Sequence, residues 1–153
     1  MNDARLIYEL QRRIERLETQ IETGRWVNWT PTVTQSVSVT KTIHYARYII
    51  RDKLAHVEVG LAMTSAGITA NAIIIGGWPT AIQCANVDLA DDCKGDFTYH
   101  RTTGTYYDGS AVFTGASDLR FVVSGNAAKL GFTPTFAIAS GDYLSFKLAY
   151  EVG

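Results

Sequence analysis

The sequence predicts a mainly β protein: an antiparallel β-sandwich, most simply a jelly roll, preceded by a short N-terminal α-helical coiled coil. Three observations predict it. Ile7, Leu10, Ile14, Leu17 and Ile21 recur at alternating spacings of three and four before Gly24, the repeat that keeps a narrow apolar seam facing a partner helix. Beyond Gly24 the apolar period shortens to two, and Thr, Val, Ile, Tyr and Phe dominate as in strands. Turn residues then punctuate the chain with no second helical pattern between them, which leaves an all-β head. The chain divides into a coiled-coil stem over residues 1–24 and a β head over residues 25–153.

In the stem, Asn2 and Asp3 can cap a helix that runs through ARLIYELQRRIERLETQIE, a stretch without Gly or Pro. A helix over residues 3 to 23, at about 1.5 Å per residue, is about 30 Å long and close to the shortest that persists alone in water. Its stability must be shared. With Ile7, Ile14 and Ile21 at a and Leu10 and Leu17 at d, Arg13 falls at g and Glu18 at e, where charges of neighbouring chains meet. β-Branched a residues with Leu at d favour two strands. A helix folded back on its own head would show a wider apolar face. Here Gln11, Glu15, Glu18 and Glu22 trim the stripe, although Leu6 and Tyr8 widen it near the start.

In the head, Ala55, Val57, Val59, Leu61 and Met63 alternate with His56, Glu58, Gly60 and Ala62. Leu144, Phe146, Leu148, Tyr150 and Val152 alternate with Ser145, Lys147, Ala149 and Glu151. Each segment has one buried and one wetter face. Further strands are expected over 36–43, 45–51, 72–75, 97–101, 111–113, 119–123 and 132–138. Turns are expected at 65–67, Gly76-Gly77, Asp108-Gly109, Gly125-Asn126 and 140–142. The run 72–75 is apolar on both faces, so it is expected to be a central strand or one covered by a neighbouring subunit.

Composition narrows the function. A formal charge of -1 gives no field to gather nucleic acid or an anionic membrane. No stretch reaches the roughly 20 apolar residues that span a bilayer, and the amino terminus is charged rather than a secretion signal. A soluble protein made in the cytoplasm is expected, with neither nucleic acid nor membrane insertion. Cys84 and Cys93 permit a loop-closing bridge without demanding one. His44, His56 and His100 are isolated, so no metal and no cofactor is expected.

Catalysis by paired carboxylates would draw on Asp88, Asp91, Asp92, Asp96, Asp108, Asp118 or Asp142. Most of these lie in expected turns, where Asp is favoured for backbone reasons. No strained nucleophile elbow and no phosphate loop is present. A non-enzymatic binding protein is expected. Its best candidate loop is Thr103-Gly104-Thr105-Tyr106-Tyr107-Asp108-Gly109: in an extended segment one of Tyr106 and Tyr107 must face away from the other, and Asp108 can accept from hydroxyls. Trp78, before Pro79, reads as an exposed stacking platform or as a lid over the core. Trp26 and Trp29 are expected on one side of the chain, packed between stem and head base. Arg47, between Tyr45 and Tyr48, has either an aromatic or a carboxylate to meet.

Two resemblances extend this reading. Arg13-Ile14-Glu15-Arg16-Leu17-Glu18 resembles the trimerisation signature Arg-h-x-x-h-Glu of three-stranded coiled coils, where h is apolar. Then Trp26-Val27-Asn28-Trp29-Thr30-Pro31-Thr32 after the stem, Tyr45-Ala46-Arg47-Tyr48, Gly77-Trp78-Pro79, and Ala139-Ser140-Gly141-Asp142-Tyr143-Leu144 leading to Tyr150-Glu151 resemble the C-terminal head of minor tail or tail-tip proteins of tailed bacteriophages, especially those of actinobacteria. The closing Gly-Asp-Tyr-Leu-Ser-Phe is also similar to the last strand of trimeric C1q and tumour-necrosis-factor-like jelly rolls. The resemblance implies a homotrimeric tail or fibre protein of the virion, assembled in the host cytoplasm. Its partners would be other tail proteins and a bacterial surface ligand, a glycan or a protein. A purely structural tail-tip or decoration protein and a C1q-like extracellular ligand are the alternatives. A stem beginning at Met1 departs from the long virion-anchoring region of such proteins, which implies a fragment or a small separate subunit.

Overall fold

The computed structural model describes residues 3–85, 93–126 and 128–153, with the side chains of 18–23 and Cys93 left aside. The expected stem helix forms as α1, Asp3–Thr23. The head contains β1 (Val27–Asn28), β2 (Thr32–Gln35), β3 (Val37–Val39), β4 (Lys41–Arg51), β5 (Leu54–Met63), β6 (Ile74–Gly76), β7 (Cys93–His100), β8 (Tyr106–Gly115), β9 (Asp118–Val123) and β10 (Tyr143–Glu151), with a 3-10 turn at Thr80–Ile82. Among the described residues no helix is long and apolar enough to cross a membrane.

All ten strands join one antiparallel sheet in the order β1-β4-β5-β10-β7-β8-β9-β6-β2-β3. The sheet is strongly curled. Thr40 alone separates β3, at one edge, from β4, next to the opposite edge, and one residue spans only about 3.5 Å. Ring packing shows the same curl: Phe121 of β9 and Phe146 of β10 lie 5.6 Å apart between centroids, although three strand spacings in a flat sheet are about 14 Å. The enclosed face carries the core, with Val57, Val59 and Leu61 of β5, Leu144 and Phe146 of β10, Phe97 and Tyr99 of β7, and Phe113, Leu119 and Phe121 beyond them. The architecture is thus a mainly β fold, one strongly curled antiparallel sheet resembling a half-barrel.

Local chemistry explains where expected elements changed. The strand expected over 36–43 breaks in two, because Ser36 takes a left-handed φ of 64° after β2 and Thr40 turns the corner into β4. At that corner the Thr40 amide donates to Ser65 Oγ at 2.9 Å and its carbonyl accepts from Thr64 N at 2.8 Å. The turn from β4 to β5 uses Asp52 and Lys53, both at positive φ (48° and 67°), a primed turn made without glycine. Asp108-Gly109 is not a turn but the middle of β8. A Cβ on Gly109 would run into the Val122 carbonyl, so glycine there permits close strand approach. The run 72–75 supplies β6, which starts at Ile74 and lies inside the sheet between β9 and β2.

No strand forms over 132–138. Pro134 has no amide to donate, and a side chain takes the place of a neighbouring strand. Gln35, fully buried, donates through Nε2 to the Phe136 carbonyl at 2.7 Å and the Asn71 carbonyl at 3.0 Å. Its Oε1 accepts from the Ile138 amide at 2.8 Å. Asp142 closes the same segment, accepting from Tyr99 Oη at 2.8 Å, Thr102 N at 3.0 Å and Ala139 N at 3.0 Å. Burial, reinforced by this bond to Asp142, pushes the Tyr99 hydroxyl well above its ordinary range.

Candidate functional site

Strand register arranges the outer face of the sheet into rows. Because odd positions of β5 enter the core, His56, Glu58, Gly60 and Ala62 point outward, and antiparallel pairing carries each across to its neighbours. One row runs Tyr45, Gly60, Ser145, Thr98, Asp108. Tyr45 and Tyr143 cover Gly60, where an added Cβ would meet Tyr45 Cε1 at 2.5 Å and Tyr143 Oη at 2.6 Å. Beside it, Tyr143, His100 and Tyr106 are register partners, with the His44 ring 5.6 Å from Tyr143. On the other side Arg47, Glu58, Lys147 and Asp96 alternate in charge.

Arg47 meets both partners its sequence position allows. Its guanidinium bonds Glu58 Oε2 at 2.8 and 3.1 Å and lies 4.7 Å from the Trp26 ring centroid. The Arg47 hydrogen bond is the main cause holding the Glu58 carboxyl below the usual carboxylate range. Trp26, Ile49, His56 and Ala149 border a groove of about 430 Å³ next to this row. Trp29 instead turns into the core, its ring 4.7 Å from Trp78. The two tryptophans therefore do not share a side: a separation of three in an extended chain places them on opposite faces.

The tyrosine pair divides as alternation requires. Tyr106 is 65% exposed and stacked on His100 at 4.1 Å with an interplanar angle of 6°. Tyr107 faces inward and stacks on Phe136 at 5.3 Å. Asp108 is exposed and accepts from Ser124 Oγ at 3.2 Å. Trp78 corrects one expectation: it is only 6% exposed, donates to the Ile75 carbonyl at 3.1 Å and packs edge-on to Phe113 at 5.2 Å. It has no face left for a ligand, so it is the lid over the core and not a stacking platform. Tyr107 likewise offers its ring to Phe136 rather than to the surface.

The carboxylates considered for catalysis do not form one constellation. Asp142 is buried in its structural network, Asp96 and Asp108 sit in neighbouring rows of the outer face on the adjacent strands β7 and β8, and Asp118 begins β9. Asp88, Asp91 and Asp92 lie outside the described residues. Cys84 is a buried thiol, while the side chain of Cys93, the other half of the possible bridge, also lies outside them. Among the described residues no three His, Cys, Asp or Glu side chains gather as a metal site requires. Sequence reading missed His100 as the partner of Tyr106, because only the β7–β8 register brings them together.

On the stem, Ile7, Leu10, Ile14 and Leu17 are each about half exposed, between 49% and 56%, and every side chain from Asp3 to Leu17 is exposed. Arg13 lines a surface cleft with Arg5, Tyr8 and Arg16. The side chains of Glu18 and Ile21, and the cap at Asn2, lie outside the described residues. Over these residues the helix does not bury its stripe against its own head. The chain matches no family model, no curated protein and no solved structure.

Proposed function

We propose that this chain is a homotrimeric, non-enzymatic tail or fibre component of a phage or phage-like particle, whose head adheres to a carbohydrate on the bacterial surface. The observation that carries the reading is the exposed ridge Ile7, Leu10, Ile14, Leu17 on a helix whose described side chains are all exposed. Contiguous apolar surface of this kind marks an interface, and copies of the same helix fit it at heptad spacing. Burying each half-exposed side chain contributes about 1 kcal/mol. The Arg13-to-Glu18 signature favours three chains over the two that the a and d residues alone favour.

The head then acts through its outer face. Tyr106 stacked on His100, with Asp108, Thr98 and Ser145 in the adjoining row, combines an aromatic platform with hydroxyl and carboxylate groups, the chemistry that receives sugars. Three such faces on one stem gain avidity by raising effective concentration. For the head we favour a jelly-roll-like sandwich in which the β4-β5-β10-β7 half of the curled sheet faces the β8-β9-β6-β2 half. The Phe121–Phe146 contact across the core supports it.

Light scattering tests the assembly: the expected mass is three times the 16.8 kDa chain, falling to one chain when Ile14 and Leu17 are replaced by Ser. A mass of one chain for the unaltered protein overturns the trimer. Glycan-array and whole-cell binding test the adhesion. Assembly without surface binding would point to a structural tail-tip or decoration role.

A further inference from the structure

A second site lies where β9, β6 and the turn after β2 approach one another. Ser36, Asn71, Ile74, Arg120, Lys129 and Phe132 border a cleft of about 450 Å³, within the size range of ligand pockets. Arg120 pairs in register with Val112, which places it on the outer face of β9, opposite the core residues Leu119 and Phe121. Its Nε is buried with no hydrogen-bond acceptor among the described residues, an arrangement that costs free energy until an acceptor arrives. Lys129 brings a second cation. Among the described residues no carboxylate borders the cleft; Asp118, two positions from Arg120, is not part of its lining.

Phe132 supplies the other half of the chemistry. It is 56% exposed, and its position is set rather than loose. Its amide and that of Thr133 both donate to the Lys129 carbonyl at 3.0 Å, and Thr135 Oγ1 donates to the Phe132 carbonyl at 2.7 Å. The preceding Gly131 has a left-handed φ of 92°, and a Cβ there would meet Gln35 Nε2 at 2.8 Å, so the buried clamp fixes the start of the loop. An exposed aromatic ring held beside an under-satisfied guanidinium and an ammonium suits a ligand with one apolar face and one anionic group.

We propose that this cleft binds an acidic saccharide, with Arg120 and Lys129 receiving its carboxylate or phosphate and Phe132 packing on the sugar ring. The proposal rests on the adhesion reading for the saccharide class, while the anionic preference comes from the cleft itself. The test is calorimetric titration of the full chain with a galacturonate oligomer, a glycerol-phosphate oligomer carrying sugar substituents and a neutral glucan of similar length.

At least one acidic oligomer is expected to bind, more weakly as salt rises, and the arm that binds identifies the anionic group. Arg120→Gln and Phe132→Ser should each reduce that affinity at least about tenfold. Phe132→Ser keeps the test valid if Arg120→Gln fails to fold, because the Phe132 side chain is exposed. Equal binding of the neutral glucan, no binding of either acidic oligomer, or unchanged affinity in a folded variant overturns the proposal. Tyr106→Ala should leave this binding intact. Loss of whole-cell attachment in Tyr106→Ala with acidic binding retained separates the two sites, and failure of cell attachment alone counts only against the adhesion reading.

Discussion

Replacing Gln35 with Leu keeps a side chain of similar length in the core and removes every hydrogen bond that the amide makes. The Phe136 carbonyl and Ile138 amide lose buried partners at 2.7 and 2.8 Å, and the Asn71 carbonyl loses a part-buried one at 3.0 Å. Each buried orphan costs about 1–3 kcal/mol. Allowing about 1 kcal/mol back for the apolar replacement, the two buried orphans give an expected loss of about 1–5 kcal/mol, against the 5–15 kcal/mol typical of a domain. Urea denaturation reads it as a lower midpoint at similar slope. Hydrogen exchange should locate it, with the Ile138 amide losing protection before the β5 and β10 amides. A loss below about 1 kcal/mol with Ile138 still protected would refute the claim that a side chain substitutes for a strand in this segment.

Tyr106→Ala should change stability by no more than about 0.5 kcal/mol, as for other exposed positions, whereas Tyr107→Ala, which strips the ring stacked on Phe136, should cost about 2–4 kcal/mol; thermal melting compares them, and equal losses would contradict the inward–outward division. Burial raises the hydroxyls of Tyr99 and Tyr150 well above their ordinary range. The stability they contribute is present below the unfolded tyrosine value near 10, and above about pH 10 it falls by about 1.4 kcal/mol per pH unit for each. Ultraviolet titration should find both still protonated after exposed tyrosines ionise, and complete ionisation near pH 10 with the fold intact would count against that. Dilution should weaken the helical circular-dichroism signal of the stem while leaving the head's near-ultraviolet signal unchanged, because partner burial makes stability concentration-dependent; a helix signal independent of concentration would mean that other copies do not hold it.

Strong local periodicity made β5, β9, β10 and α1 legible. In β5 and β10 every second residue is apolar over nine or more positions, and those strands lie side by side near the middle of the sheet. The sequence did not reveal that pairing, since Val59 and Phe146 are register partners far apart in the chain and no periodicity encodes a partner. Asp108-Gly109 reads as a turn on residue type alone; only the nearness of the Val122 backbone shows why glycine is needed inside a strand. The missing strand over 132–138 has the same origin. Its alternation is suitable, but the partner that satisfies it is the Gln35 side chain, 101 and 103 positions away from the groups it bonds.

The candidate site was legible only where one strand's alternation was enough. Two adjacent tyrosines in an extended segment must diverge, so an exposed ring in the 106–107 pair followed from the sequence. Which ring was exposed depended on the face that β8 turns to Phe136. The companions of that ring come from other strands, His100 from β7 and Ser145 from β10, so the proposed binding surface is a property of register rather than of any motif. The same reasoning separates Trp78 from Tyr106. Both are aromatics near turn residues, but Trp78 follows β6 into the core, where Trp29, Phe113 and Tyr150 enclose it. An aromatic residue in a turn-rich sequence therefore identifies a binding surface only after the strands beside it show which face remains uncovered.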